Sequence, residues 1–141
     1  MKRKQVVMVV LAGVILLSAA ACAAPGTATS DPLDGSSLSE ICFCFTRAIP
    51  GTTITATFED GQVRGSAGCN SYSGSYQVSG DTIAVGKIAI TEMACLQPEG
   101  IMEQETMFME FLGNAQTFRL VDGQLQIFRS DGEALTFVPQ E

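Results

Sequence analysis

Gly65-Ser66-Ala67-Gly68-Cys69-Asn70-Ser71-Tyr72-Ser73-Gly74-Ser75-Tyr76, followed at a distance by Thr91-Glu92-Met93-Ala94-Cys95, is the stretch on which the reading of this chain turns. Small residues dominate it, and strand-like runs flank it on both sides. Glycine inside such sequence marks bends, bulges and close backbone approaches, as where a small barrel turns its corner. Tyr72 and Tyr76 fall on one strand face across residues 73–75, where core packing is the default. Asn70 suits a turn or bulge, bonding backbone rather than a ligand. The spacing Gly65-x-x-Gly68 is not a phosphate loop, because no Gly-Lys-Ser/Thr follows it.

Working outward, the turn signals define hairpins. Asp60-Gly61, Asp122-Gly123, Asp131-Gly132 and Gly80-Asp81 each separate apolar-alternating runs, and such dipeptides supply the positive φ that tight hairpins need. Residues 53–58 are expected to pair with 62–66, and 75–78 with 82–85. Residues 117–121, 124–128 and 134–138 form a three-strand meander. Ile54, Ala56 and Phe58 share one strand face. So do Leu125 with Ile127, and Leu135 with Phe137, as in antiparallel strands buried on one side.

Residues 98–115 break this rhythm and predict a helix. Pro98 is tolerated at its start, Glu99, Glu103 and Glu105 favour the positive end of the helix dipole, and Gly113 and Asn114 terminate it. Ile101, Phe108, Leu112 and Ala115 follow helical spacing, with Met102, Met107 and Phe111 widening the stripe. Met102, Met107 and Met109 read first as core filler, second as the lining of a ligand groove. The fold expected is α+β: a small antiparallel barrel, or a strongly bent sheet, of about eight strands with one α-helix between strands five and six. The helix lies against or plugs the open end of the curved sheet.

The N-terminus carries a separate message. Met1-Lys2-Arg3-Lys4 is basic, residues 6–17 are apolar, and Ser18-Ala19-Ala20-Ala21 leads to Cys22. This is the layout of a secretory signal peptide over residues 1–21, with Cys22 as the lipidated first mature residue. An uncleaved anchor is the alternative, since residues 6–24 are uncharged and long enough to span a bilayer. Either reading exports the rest. Residues 22–37 read as a flexible tether, which leaves one domain over residues 38–141. From Cys22 onward five basic residues face fifteen acidic ones, a net charge of −10. No basic patch exists to attract nucleic acid, and an acidic face does not seek anionic lipid, so membrane attachment falls to the N-terminal lipid or anchor.

Taken together, the run beginning at Gly61 and ending in GSAGCNSYSGSY, the TxMAC of residues 91–95, the Met102-Glu103-Gln104-Glu105 helix start and the closing VDGQLQIF…G…LTF strands resemble the META/HslJ domain. The resemblance covers roughly residues 35–139. It implies a small α+β barrel-like domain of the bacterial or archaeal envelope, often a lipoprotein and linked to stress, with no established biochemical activity. The family's first strand usually carries a tryptophan. This chain has none, and Leu38, after Asp34-Gly35-Ser36-Ser37, is expected to fill that slot.

Export permits disulfides, and the four cysteines after Cys22, namely Cys42, Cys44, Cys69 and Cys95, allow three pairings. The resemblance implies Cys69–Cys95, since both lie in its motifs. Cys42 and Cys44, two apart on a strand, remain free thiols, a labile redox pair or core residues. A four-cysteine zinc site is disfavoured by the lack of histidine and by the Cys-x-Cys spacing. Without histidine there is no Ser-His-Asp or Cys-His pair, no Cys-x-x-Cys marks a thiol oxidoreductase, and Glu103 and Glu105 are not a helix-face pair. The expectation is therefore a non-enzymatic envelope domain, without catalytic residues, metal or cofactor, with an unknown protein or small-ligand partner. The alternative is a module binding a hydrophobic or peptide ligand at the barrel mouth near Met102, Met107 and Tyr72. Less favoured is a thiol redox protein using Cys42 and Cys44.

Overall fold

A computed structural model describes residues 30–43 and 47–140, with residues 39–43 described by backbone alone. The leader, Cys22 and Cys44 lie outside the described residues. Eight strands run in chain order: β1 (Ser36–Phe43), β2 (Thr55–Glu59), β3 (Gln62–Ser66), β4 (Ser71–Ser79), β5 (Thr82–Ile90), β6 (Thr117–Val121), β7 (Gln124–Phe128) and β8 (Ala134–Pro139). The helix α1 (Ile101–Gly113) falls between β5 and β6. Each strand pairs antiparallel with its sequence neighbour, and β8 pairs back onto β1, closing the sheet into a barrel. Closure removes the free edges that an open sheet would leave unpaired.

The hairpins follow from local chemistry. Asp60 and Gly61 have φ of 51° and 70°, and Asp122 and Gly123 have 51° and 77°, which is the double positive φ of a two-residue turn whose twist matches its strands. The β7–β8 connection is wider than a tight Asp-Gly turn. It spans residues 129–133, closed by Arg129 N–H to Glu133 O at 3.0 Å, with only Gly132 at positive φ.

The β4–β5 hairpin is about twice as long as its sequence suggests. Gly86 and Lys87 interrupt the apolar alternation, and the register shifts between Gly74 and Tyr76. The backbones approach closely here: a Cβ on Gly86 would stand 2.4 Å from Ser75 Oγ, so the Ser75 hydroxyl would have to turn away. Gly65 is tighter still, since a Cβ there would lie 2.0 Å from the Thr55 carbonyl oxygen. β5 and β6 meet narrowly, at Thr82 and Thr117, flanked by Ile83 N–H to Gln116 O and Phe118 N–H to Asp81 O.

The interior is built from the alternation. Ile54, Ala56, Phe58, Val63, Leu125, Ile127, Leu135 and Phe137 are buried, and Leu38 joins them as expected of its slot. Phe58 meets Tyr76 edge-on at 4.9 Å, and Phe108 stands between Tyr72 and Phe137 at 5.4 and 6.4 Å. Phe108, Phe111 and Leu112 of α1 belong to the same core cluster as the strands, so the helix plugs the barrel. Arg129 lies over the Phe111 ring and pairs with Asp131 and Glu133, tying α1 to the β7–β8 loop. Leu33, read from sequence as tether, is fully buried in the same core cluster; the packed domain therefore includes residues before 38, because burying such an apolar side chain is worth about 2 kcal/mol.

Candidate functional site

The sequence block that opened the reading forms the corner between β3 and β4. Asn70 sits there with 2% of its surface exposed. Its Nδ2 donates to Glu105 Oε1 at 2.7 Å and to the Met93 carbonyl at 3.0 Å. Its Oδ1 accepts from Thr91 Oγ1 and from Met93 N–H, both at 2.7 Å. Its backbone N–H donates to Glu105 Oε2 at 2.6 Å. All four side-chain hydrogen-bonding positions of the amide are thus filled. A buried polar group so satisfied stabilises, whereas one left unpaired costs its full desolvation.

Asn70 is a turn residue, as expected, but its partners are not confined to backbone. It clamps β4, the segment after β5 and the second turn of α1 onto one another. The neighbouring Gln104 does the same for the loop before β2: its Oε1 accepts from Ile49 N–H at 2.6 Å and its Nε2 donates to Thr52 Oγ1 at 3.0 Å. Asn70, Gln104 and Glu105 are the buried polar residues among those described. The sequence places Glu105 at the positive end of the helix dipole; its carboxylate instead turns inward to Asn70. The helix starts at Ile101 rather than Pro98, behind a cis Gln97–Pro98 bond and with Gly100 at its N-cap, leaving Glu103 as the acid of the first turn. A signal for this was present: residues 101, 104, 105, 108 and 112 share one helical stripe, and two of them are polar.

Cys69 and Cys95 are joined by a disulfide across the same corner. With both sulfurs so engaged, a four-thiolate zinc centre lacks two of its ligands. The bond spans a sequence separation of 26 residues, and the loop-closure argument gives it roughly 3 kcal/mol of stability. Replacing Cys95 by Ser, or adding reductant, should lower the denaturant midpoint accordingly; an unchanged midpoint would show that the Asn70 clamp alone holds the corner. Cys42 pairs by backbone with Thr136 in the β1–β8 ladder.

The tyrosines face inward. Tyr72 is 3% exposed and donates its hydroxyl to the Thr55 carbonyl at 2.9 Å. Burial pushes its pKa well above the usual phenol range, so it stays protonated at neutral pH. Tyr76 is raised likewise, first by burial and then by Asp31 and the carboxylates of Asp34 and Asp60. Of the trio Met102, Met107 and Tyr72 expected at a mouth, Tyr72 is interior. Met109 packs against the core, while Met107 is half-exposed rather than core filler. Met102, Glu103, Thr106 and Met107 line an outward groove of about 420 Å³. Glu103 and Met107 also border an adjoining recess of about 200 Å³ reaching Arg47, Ile49 and Gly100.

Residues 32–141 match the sequence profile of a family described as the META domain. Among solved structures, an NMR structure of a protein from Burkholderia xenovorans is similar at 28% identity and a TM-score of 0.60, over 77% of this chain and 83% of that one. A second NMR structure, at 22% identity and a TM-score of 0.62 over 76% of this chain and 91% of that one, shares the fold. No curated protein matches significantly.

Proposed function

Since the chain belongs to the META domain family, we propose that it is an exported, non-enzymatic envelope protein, lipid-anchored through Cys22, that acts in envelope maintenance or stress tolerance through surface contacts. The observation that carries this reading is the use of the motif's polar groups. Asn70, Thr91, Glu105 and Tyr72 bond one another and nearby backbone, an arrangement that holds a barrel corner rather than presenting a nucleophile or base to a substrate. The leader supports export, with its basic start, apolar run and small residues before Cys22. Ser30, Asp31 and Pro32 line a recess with residues 77–80, at the far end of β4 from Asn70.

A second reading is favoured by the groove on α1, whose methionines offer adaptable apolar contact: a module that takes an apolar or peptide ligand on its outer surface rather than inside the filled barrel. The anchor is tested by mass spectrometry of the mature N-terminus, which should begin at Cys22 and carry lipid. Cys22→Ser should move the protein from the membrane to the soluble fraction or leave it uncleaved. An intact Met1 on wild-type protein would refute lipoprotein processing. The envelope role predicts that a deletion strain loses tolerance to envelope stress and regains it with the wild-type chain.

A further inference from the structure

We propose that the outer face of α1, together with the segment that follows β5, is a docking surface for a cationic amphipathic helix. The proposal rests on the groove reading above and not on the anchor.

The surface has an apolar centre. Leu96 is 86% exposed, Met93 56% and Met107 50%. Met102 of α1 ties the helix to the segment after β5, its Sδ accepting Cys95 N–H at 3.5 Å. The two recesses on this face share Glu103 and Met107, so they form one continuous trough. Its backbone is held by the Cys69–Cys95 bond and the Asn70 clamp, while its methionine side chains can adjust. A rigid frame carrying adaptable apolar side chains is the arrangement that receives an amphipathic helix in a groove.

Charge selects the occupant. No lysine or arginine occurs from Ile88 to Phe118, yet Glu92, Glu99, Glu103, Glu105 and Glu110 do. Glu105 is turned inward; the other four are exposed and none has an ion-pair partner among the described residues. The last turn of α1 carries no basic residue. Arg47 borders the adjoining recess as the one cation lining it among the described residues. An apolar trough bordered by Glu103, on a stretch whose exposed charges are all carboxylates, complements a helix with one apolar and one lysine- or arginine-rich face. A second copy of this chain would bring two acidic stretches together, and an anionic bilayer would be repelled in the same way.

The test uses the full chain in zwitterionic nanodiscs, with empty discs as the baseline. Two synthetic 18-residue helical peptides share one leucine face; one carries lysine on the polar face and the other glutamate. Fluorescence anisotropy should show the lysine peptide binding roughly tenfold or more tighter than the glutamate peptide, with affinity falling as salt rises. Leu96→Ser with Met107→Ser should weaken it roughly tenfold, by loss of apolar contact. Glu92→Gln, Glu99→Gln and Glu103→Gln combined should weaken it similarly and flatten the salt dependence. All these positions are at the surface, so thermal midpoints should hold. Equal binding of the two peptides overturns the charge selection while leaving a groove. Binding of neither overturns the groove reading too. Binding that the serine pair leaves unchanged, or self-association through this face in sedimentation, also overturns the proposal.

Discussion

Asn70→Ala is expected to destabilise the domain by about 4 kcal/mol, on the scale of breaking a buried, charge-bearing hydrogen-bond network. The substitution removes four side-chain hydrogen bonds at once. It leaves the Glu105 carboxylate buried with one oxygen unpartnered by Asn70, and it orphans Met93 N–H. Urea denaturation followed by circular dichroism measures the loss, and amide exchange should show Met93 losing protection ahead of the barrel strands. A loss under 1 kcal/mol would mean that water or a rotated Thr91 replaces the amide.

Asn70→Asp sharpens the same argument with pH. The shape is kept, but Nδ2, now 2.7 Å from Glu105 Oε1, becomes a second carboxylate oxygen. Two carboxylates at that distance cannot both ionise cheaply, so the pair retains a proton in the folded state at a pKa raised above that of the unfolded chain. The folded state then binds more protons than the unfolded one, and stability falls as pH rises from the ordinary carboxylate range through the raised value. The deficit relative to wild type should be smallest in acid and largest at neutral pH. Adding Glu105→Gln should remove most of that slope; a slope that persists would locate the titration elsewhere.

Phe108→Ala is expected to cost about 4 kcal/mol and lower the thermal midpoint by roughly 20 °C in a domain of this size. Phe108 is fully buried and is the point where the helix enters the barrel between Tyr72 and Phe137. Truncation leaves a ring-sized void under a helix that the disulfide and the Asn70 clamp prevent from sinking to fill it. Phe108→Leu, which keeps most of the volume, should cost only about 1.5 kcal/mol. Similar losses for both variants would show that the site collapses and that the edge-on ring contacts, rather than volume, carry the effect.

Much of this architecture is legible in the chain. Asp60-Gly61 and Asp122-Gly123 mark two-residue turns, and the alternation of Leu125 with Ile127 and of Leu135 with Phe137 assigns the inner face. The β4–β5 hairpin is underestimated because Gly86 and Lys87 interrupt the apolar alternation opposite the register shift between Gly74 and Tyr76, and apolar periodicity does not register a bulge. The candidate site is less legible. Asn70 is conspicuous, yet its partners Met93 and Glu105 lie 23 and 35 residues away, and a carboxylate at a helix start is ordinarily assigned to the dipole. Met107 looks like a core residue because hydropathy reports what a side chain prefers, not where the fold places it.

By itself the sequence determined the turns, the strand faces, the place of the helix and the family, because each of these is written in a few adjacent residues and obeys a local period or a local backbone rule. Only the tertiary structure decided that β8 returns to β1 to close the barrel, that Glu105 turns inward to Asn70, and that the methionine trough is left outside beside Glu103. Those features depend on which distant residues meet. Burial, desolvation and charge complementarity are properties of that meeting rather than of any one segment.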